Sequence, residues 1–213
     1  IKALTRMIVL RKPIRADAVI ALEEISSLIL CGGKGERFGS KDKPLVPFDG
    51  DLGPLPMVDY AIDRLPITLE LLISANRNVE QYLLRGKVIQ DSDCNLIGQG
   101  PLIGIYAGLV TCNAPWLLVC PGDMPMLPKE WYEPLLREVR GEPCSRVLHD
   151  GERLQSLLCL IPKTLAQDLG AFIRSGGYAV RDWHSAADAA VVPSKANPRA
   201  FININSEADM HGL

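Results

Sequence analysis

The sequence predicts an α/β fold, a doubly wound and mostly parallel sheet with helices on both faces. From Ser27 onward, short apolar runs rich in Leu and β-branched residues alternate with segments of helical spacing. That alternation is the pattern of buried parallel strands joined by crossover helices. The runs end in Gly, Asn or Asp, and in sheets of this kind the ligand lies just outside the carboxyl ends of the strands. No internal repeat, low-complexity tract or long linker interrupts the alternation. A chain of 213 residues is close to one domain at roughly 150 residues each, so a single domain is expected over 25–213, preceded by an extension of unassigned role over 1–24.

The first run, Leu28 to Cys31, reads as a strand cut off by Gly32-Gly33. A helix is expected over Met57 to Leu65, then a strand over Leu69 to Ser74, a short helix over Val79 to Leu84 and a short strand over Lys87 to Ile89. Leu102 to Cys112 reads as a helix whose small residues Gly104, Ala107 and Gly108 permit close packing. Trp116 to Cys120 is the clearest buried strand, and it ends at Pro121-Gly122-Asp123. Beyond it the pattern predicts a helix over Lys129 to Val139, strands over Arg146 to Leu148 and Leu157 to Leu160, a helix over Lys163 to Arg174, and a last strand over Ala200 to Ile204. Four strand ends thereby present Gly32, Asn76, Asp91 and Asp123 to one side of the sheet.

Composition narrows the function classes. With 47% hydrophobic and 23% charged residues the chain has ordinary globular composition. A formal net charge of -2 supplies no surplus of cations for a nucleic-acid backbone, so nucleic acid is excluded as a general partner and phosphate binding must be local. No apolar run reaches the roughly 18 residues of a membrane span. Charges run through the opening segment (Lys2, Arg6, Arg11, Lys12, Arg15, Asp17), which lacks the apolar core of a secretory signal. A cytoplasmic protein with no membrane contact is expected. Cys31, Cys94, Cys112, Cys120, Cys144 and Cys159 form no C-x-x-C pair and no zinc-ligand spacing, so they are expected to fill the core of a protein in a reducing compartment.

The stretch Leu30 to Gly39 places four glycines directly behind the first strand. Without Cβ atoms such a loop brings backbone N–H groups against phosphate oxygens. Its spacing is neither the P-loop nor G-x-G-x-x-G, and a glycine-rich turn alone is usually only a turn. Arg37, Lys41 and Lys43 add cations beside it. Asp123, at the end of the strongest strand, has the carboxylate and position to hold Mg2+ while phosphate oxygens and water fill the other positions. The bland alternative is a turn cap. Asp91-Ser92 is ambiguous in the same way, since the pair is common in turns. No Ser-His-Asp or Cys-His arrangement stands out.

Taken together, Leu30-x-Gly32-Gly33-x-x-x-Arg37-x-Gly39-x-x-Asp42-Lys43-x-Leu45 resembles the signature loop of the molybdenum cofactor guanylyltransferases, within the wider group of sugar-phosphate and cytidylyl nucleotidyltransferases. The resemblance continues through Ala75-Asn76-Arg77, Asp91-Ser92, Gly100-Pro101-Leu102-x-Gly104 and Cys120 to Pro125, then His149 to Arg153 and Phe201 to Ser206, so that it spans about Leu28 to Asp209. It implies a Rossmann-like nucleotidyltransferase that moves GMP from GTP to the phosphate of molybdopterin, with Mg2+ as cofactor. It further implies transient contact with cofactor-assembly proteins or apo-molybdoenzymes. On this resemblance Lys43, Arg37 and Asp123 are the catalytic residues, with Asp123 on the metal. GTP is expected against Leu30, Cys31, Gly32, Gly33, Lys43, Ser74, Asn76, Arg77, Asp91, Gly100, Pro101, Leu102 and Asp123, and molybdopterin against Arg153, Asn203 and Asn205.

The match has departures. Cys31 stands where many relatives have Ala, Phe38 where they have Met, and Ser74 where they often have a nucleotide-contacting Asn. Gln155 is followed by Ser156 where relatives tend to place Pro, and His149 carries no firm assignment. Two other readings share these features: a cytidylyl or sugar-1-phosphate nucleotidyltransferase, and a noncatalytic adaptor in cofactor assembly. Lys43, Asp91 and Asp123 together argue against the adaptor.

Overall fold

The computed structural model describes residues 19–32, 42–94, 100–137, 143–206 and 209. The expected strand Leu28 to Cys31 is β1, Ile25–Leu30. Two short strands, β2 (Pro47–Gly50) and β3 (Gly53–Pro56), form a separate antiparallel hairpin before helix α1, Met57–Asp63. Next come β4 (Glu70–Ser74), α2 (Val79–Leu83), β5 (Lys87–Ile89), α3 (Pro101–Thr111) and β6 (Trp116–Pro121). The second half holds α4 (Glu133–Leu136), β7 (Arg146–His149), β8 (Leu154–Pro162), α5 (Ala166–Arg174), α6 (Val180–Ala186) and β9 (Ala190–Pro193).

Seven strands make one sheet in the order β5-β4-β1-β6-β8-β7-β9. β5, β4, β1 and β6 are mutually parallel, β8 runs against both of its neighbours, and β7 pairs β9 in parallel. The strand order reverses at β1. The chain runs outward from it through β4 to β5, then crosses to β6 on its other side. The crevice between β1 and β6 is therefore the switch point at which such sheets bind ligands.

Period-two alternation sends strand residues to two cores. Ile25, Ile29, Ile73, Leu118, Cys120 and Leu160 face α1, α2 and α4, while Leu28, Leu30, Leu72, Leu117, Val119 and Ile161 face α3, α5 and α6. Helices on both faces follow directly. The close packing expected of α3 is present: a Cβ on Gly104 would lie 2.5 Å from Ser74 Oγ, and one on Gly108 would lie 2.7 Å from Leu28 Cδ2. Ile20 is buried in the first core and its N–H donates to the Leu136 carbonyl, so the last residues of the expected extension pack on the sheet domain.

Two expectations about elements fail, each for a local reason, and three features are additions. The helix over Lys129 to Val139 shrinks to Glu133–Leu136, because Pro134 fits only a first helical turn and Arg137 is already extended, bridging Val19. Ala200 to Ile204 is not a strand but the end of a 3-10 turn, Pro198–Phe201, followed by irregular backbone. Pro198 opens the turn and the Asn197 side chain caps it, accepting the Arg199 N–H at 3.0 Å, so the chain enters this segment from a 3-10 turn; Phe201 and Ile204 are both fully buried, in different clusters. The hairpin, α6 and β9 lack a sequence signal. Pro47, Pro54 and Pro56 mask the first, and β9 is a four-residue edge strand.

Candidate active site

The carboxyl ends of β1, β4, β5 and β6, together with the start of α3, surround a cavity of about 740 Å³. β1 contributes Leu30, Cys31 and Gly32, held in place where the Cys31 N–H donates to the Ser74 carbonyl at 2.9 Å and the Gly122 N–H to the Leu30 carbonyl at 3.0 Å. A Cβ on Gly122 would sit 2.9 Å from Cys31 Sγ, so the two strand ends close on one another only because residue 122 is glycine. Behind β4, Ser74, Asn76 and Arg77 reach the cavity, and Asn76 Oδ1 accepts the Asp91 N–H at 2.9 Å, tying the β4 and β5 ends together. Gly100 has φ 86°, outside the usual range of other residues, and opens α3 with Pro101 in its first turn. Both line the cavity.

Asp123 stands at the β6 end with its side chain about one-fifth exposed. Lys43 Nζ donates to its Oδ2 at 2.5 Å and Asn203 Nδ2 to its Oδ1 at 2.8 Å. Lys43 Nζ also donates to Asn205 Oδ1 at 2.9 Å. The carboxylate thus meets one ammonium and one amide, and the ammonium a second amide, with partners 80 and 162 residues apart in the chain. Buried Asp42 accepts from Asn78 Nδ2 at 2.9 Å and lies 3.8 Å from a nitrogen of Arg77, a residue that lines the cavity.

Of the residues expected from sequence, Leu30, Cys31, Gly32, Ser74, Asn76, Arg77, Asp91, Gly100, Pro101, Asp123 and Asn203 line the cavity. Lys43 and Asn205 join it through Asp123 and through each other. Leu102 does not line it: its side chain is buried in the core beneath α3. Gly33 and Arg37 lie outside the described residues. Arg153 is largely exposed on the β7–β8 turn, 3.7 Å from Asp150 and away from the cavity lining. His149 accepts the Gly151 N–H at 3.1 Å and so closes its own turn.

Sequence reasoning missed Gly104, Pro121 and Leu157 as lining residues. Gly104 stands in the signature with close packing of α3 as its expected role, while Leu157 lies on β8, a strand whose apolar run is expected but whose antiparallel direction has no local signal. The Cys31 thiol is unsuited to nucleophilic work. Burial pushes it well above the ordinary range, and the Asp42 and Asp123 carboxylates push it the same way.

Among the described residues no three His, Cys, Asp or Glu side chains gather into a metal cage. The donor set nevertheless fits a hard divalent cation carried in with a polyphosphate. Such an ion needs one or two protein carboxylates and takes its other oxygens from substrate and water. Asp123, partly exposed and flanked by an ammonium and a neutral amide, is the carboxylate of the cavity that could hold such an ion.

A mostly parallel sheet whose switch point opens on a cavity holding Asp123, with Lys43 paired to it and the start of α3 in the lining, is the arrangement of an α/β protein that binds a phosphorylated ligand. Comparison with known proteins agrees. The family model for the MobA-like NTP transferase domain matches residues 27–191. Molybdenum cofactor guanylyltransferase of Shewanella sediminis is 36% identical over 186 residues, covering 86% of this chain and 92% of that protein. The protein of the same name from Cupriavidus pinatubonensis is 36% identical over 196 residues, covering 88% and 95%. In structure, molybdopterin-guanine dinucleotide biosynthesis protein A of Archaeoglobus fulgidus superposes with a TM-score of 0.68 at 19% identity, over 87% of this chain and 95% of its own. This chain belongs to the MobA-like NTP transferase domain family.

Proposed function

We propose that the chain transfers GMP from GTP to the phosphate of molybdopterin, releasing pyrophosphate and forming the guanine dinucleotide of the molybdenum cofactor, and that it does so in the cytoplasm with Mg2+. The observation that carries the reading is the Lys43–Asp123 pair at the mouth of the cavity between β1 and β6. The names of the close relatives supply the base and the acceptor.

The chemistry asks little covalent work of the protein. An oxygen of the acceptor phosphate forms a bond to the α-phosphorus of GTP. The bond from that phosphorus to the oxygen bridging to the β-phosphate breaks, and its electron pair leaves with pyrophosphate. Negative charge grows on the α-phosphate and on the departing group, so fixed cations set the rate. Lys43 supplies an ammonium, with Arg37 as a second cationic donor. Asp123 is the residue to hold Mg2+, which when bound neutralises phosphate charge and aligns the triphosphate. The N–H groups around Gly32 and the start of α3 offer donors to phosphate oxygens. Guanine, with its O6 acceptor and N1 and N2 donors, calls for polar groups such as those of Ser74, Asn76 and the backbone near Gly100. Arg153 is assigned to the acceptor side.

Pyrophosphate release with molybdopterin as acceptor, run with each nucleoside triphosphate, tests the proposal. GTP should exceed CTP and ATP by about 100-fold or more in catalytic efficiency. Equal use of CTP refutes the guanylyl assignment, and release from no nucleotide refutes the enzyme reading.

A further inference from the structure

Asn203 and Asn205 flank Ile204, whose side chain is fully buried with Phe48, Met57 and Tyr60 and whose N–H donates to the Asp123 carbonyl at 3.1 Å. This irregular segment is therefore pinned to the end of β6 at the residue between the two amides. Asn205 Nδ2 donates to the Asn203 carbonyl at 3.2 Å, and the N–H groups of Asn205 and Ser206 donate to Asp209 Oδ2 at 2.7 and 2.8 Å. The two side chains point at the two charged groups: Asn203 at Asp123 and Asn205 at Lys43.

We infer that Asn203 and Asn205 are positioning residues, a clamp that orients Asp123 for the divalent cation and retains Lys43 once that cation takes up the carboxylate charge. The inference rests on the proposed roles of Asp123 and Lys43. An ammonium and a divalent cation drawing on one carboxylate repel each other, so Lys43 at 2.5 Å from Oδ2 must yield part of that contact. Asn205 Oδ1 already accepts from the same ammonium and gives it a second acceptor. Asn203, by holding Oδ1, fixes the rotation of the carboxylate while Oδ2 changes partner. Neutral amides suit both tasks. A carboxylate at either position would add negative charge beside a triphosphate and hold the lysine back.

Partners that orient metal-binding side chains typically govern affinity by about 10- to 100-fold. The test uses the full chain with GTP and Mn2+ as the probe, read by electron paramagnetic resonance in the absence of acceptor, beside steady-state kinetics. In Asn203→Ala the Kd for Mn2+ should rise about 10-fold or more, with the KM for molybdopterin unchanged. In Asn205→Ala the Kd should move less than about threefold while kcat falls about 10-fold. Should Asn203→Ala fail to fold, Asn203→Ser, polar but too short to reach the carboxylate, carries the same expectation. Unchanged Mn2+ affinity in the Asn203 variant overturns the clamp. So does a rise in the KM for molybdopterin in both variants with Mn2+ affinity intact, which would make the asparagines acceptor contacts. If the unaltered enzyme with GTP binds no Mn2+, the metal role of Asp123 itself fails, and the clamp with it, before any variant is compared.

Discussion

Asp123→Asn changes one oxygen to an NH2 group and nothing in volume, yet it strikes the most connected side chain of the site. The carboxylate now accepts from Lys43 at Oδ2 and from Asn203 at Oδ1. An amide has a single oxygen, so with the present partners one donor, at 2.5 or 2.8 Å, would face an NH2 group unless the Asn203 amide also flips, and the ammonium loses its counter-charge in either case. Leaving a partly buried charged donor without its acceptor costs about 1–3 kcal/mol, a loss the domain tolerates because the site lies at the sheet's rim and not in either core. Catalysis suffers more. With the metal's protein carboxylate gone, about 3–4 kcal/mol of transition-state stabilisation is lost, a rate fall of about 100- to 1,000-fold. Pyrophosphate release at saturating GTP, molybdopterin and Mg2+ measures it, with far-ultraviolet circular dichroism confirming the fold. Near-normal turnover at saturating Mg2+ would remove Asp123 from the metal site. Lys43→Ala is the companion experiment: turnover should fall about 100-fold with little change in thermal midpoint, and a variant that unfolds would show the lysine to be structural.

Two further substitutions probe the scaffold. Gly104→Ala would place a Cβ 2.5 Å from Ser74 Oγ and 3.0 Å from Leu30 Cδ2, both cavity residues. It should cost about 1–3 kcal/mol in urea unfolding and raise the KM for GTP; a variant of unaltered stability and KM would show that α3 is free to move away. Asp150 is buried and accepts the N–H groups of Glu152 and Arg153 at 2.8 Å and the Gln155 amide at 2.5 Å. Burial raises its pKa, but these donors together lower it below the usual carboxylate value. A lowered native pKa gives stabilisation that is complete above the unfolded value of about 3.9 and disappears as pH falls through the native one. Asp150→Ala should therefore cost about 2 kcal/mol at pH 7, with the gap from the unaltered protein closing below about pH 4, whereas a gap of constant size would assign the cost to packing.

The nucleotide half of the fold is written in local pattern. β1, β4, β5 and β6 are short apolar runs closed by turn residues, and because successive parallel strands are joined by crossovers, residues following each run fall at one end of the sheet. This is why Gly32, Asn76, Asp91 and Asp123, far apart in the chain, were legible as neighbours and all line one cavity. The same logic fails after β6. There β8 turns back antiparallel and brings Leu157 to the cavity, and no periodicity announces which way a strand will run. Nor does pattern separate Leu102, which α3 turns into the core, from Pro101 beside it.

The last segment shows the division most clearly. Phe201 to Ile204 reads as a strand because it is a short apolar stretch with two β-branched isoleucines, yet its side chains are shared between two clusters, Phe201 in the first core and Ile204 with Phe48, Met57 and Tyr60. Sequence alone determined the fold class and the residue types at the strand ends, since both follow from periodicity and turn chemistry within a few residues. Tertiary structure decided that Asn203 holds Asp123 and Asn205 holds Lys43, because the burial of Ile204 against Phe48, Met57 and Tyr60 is what carries that segment across the chain to the end of β6.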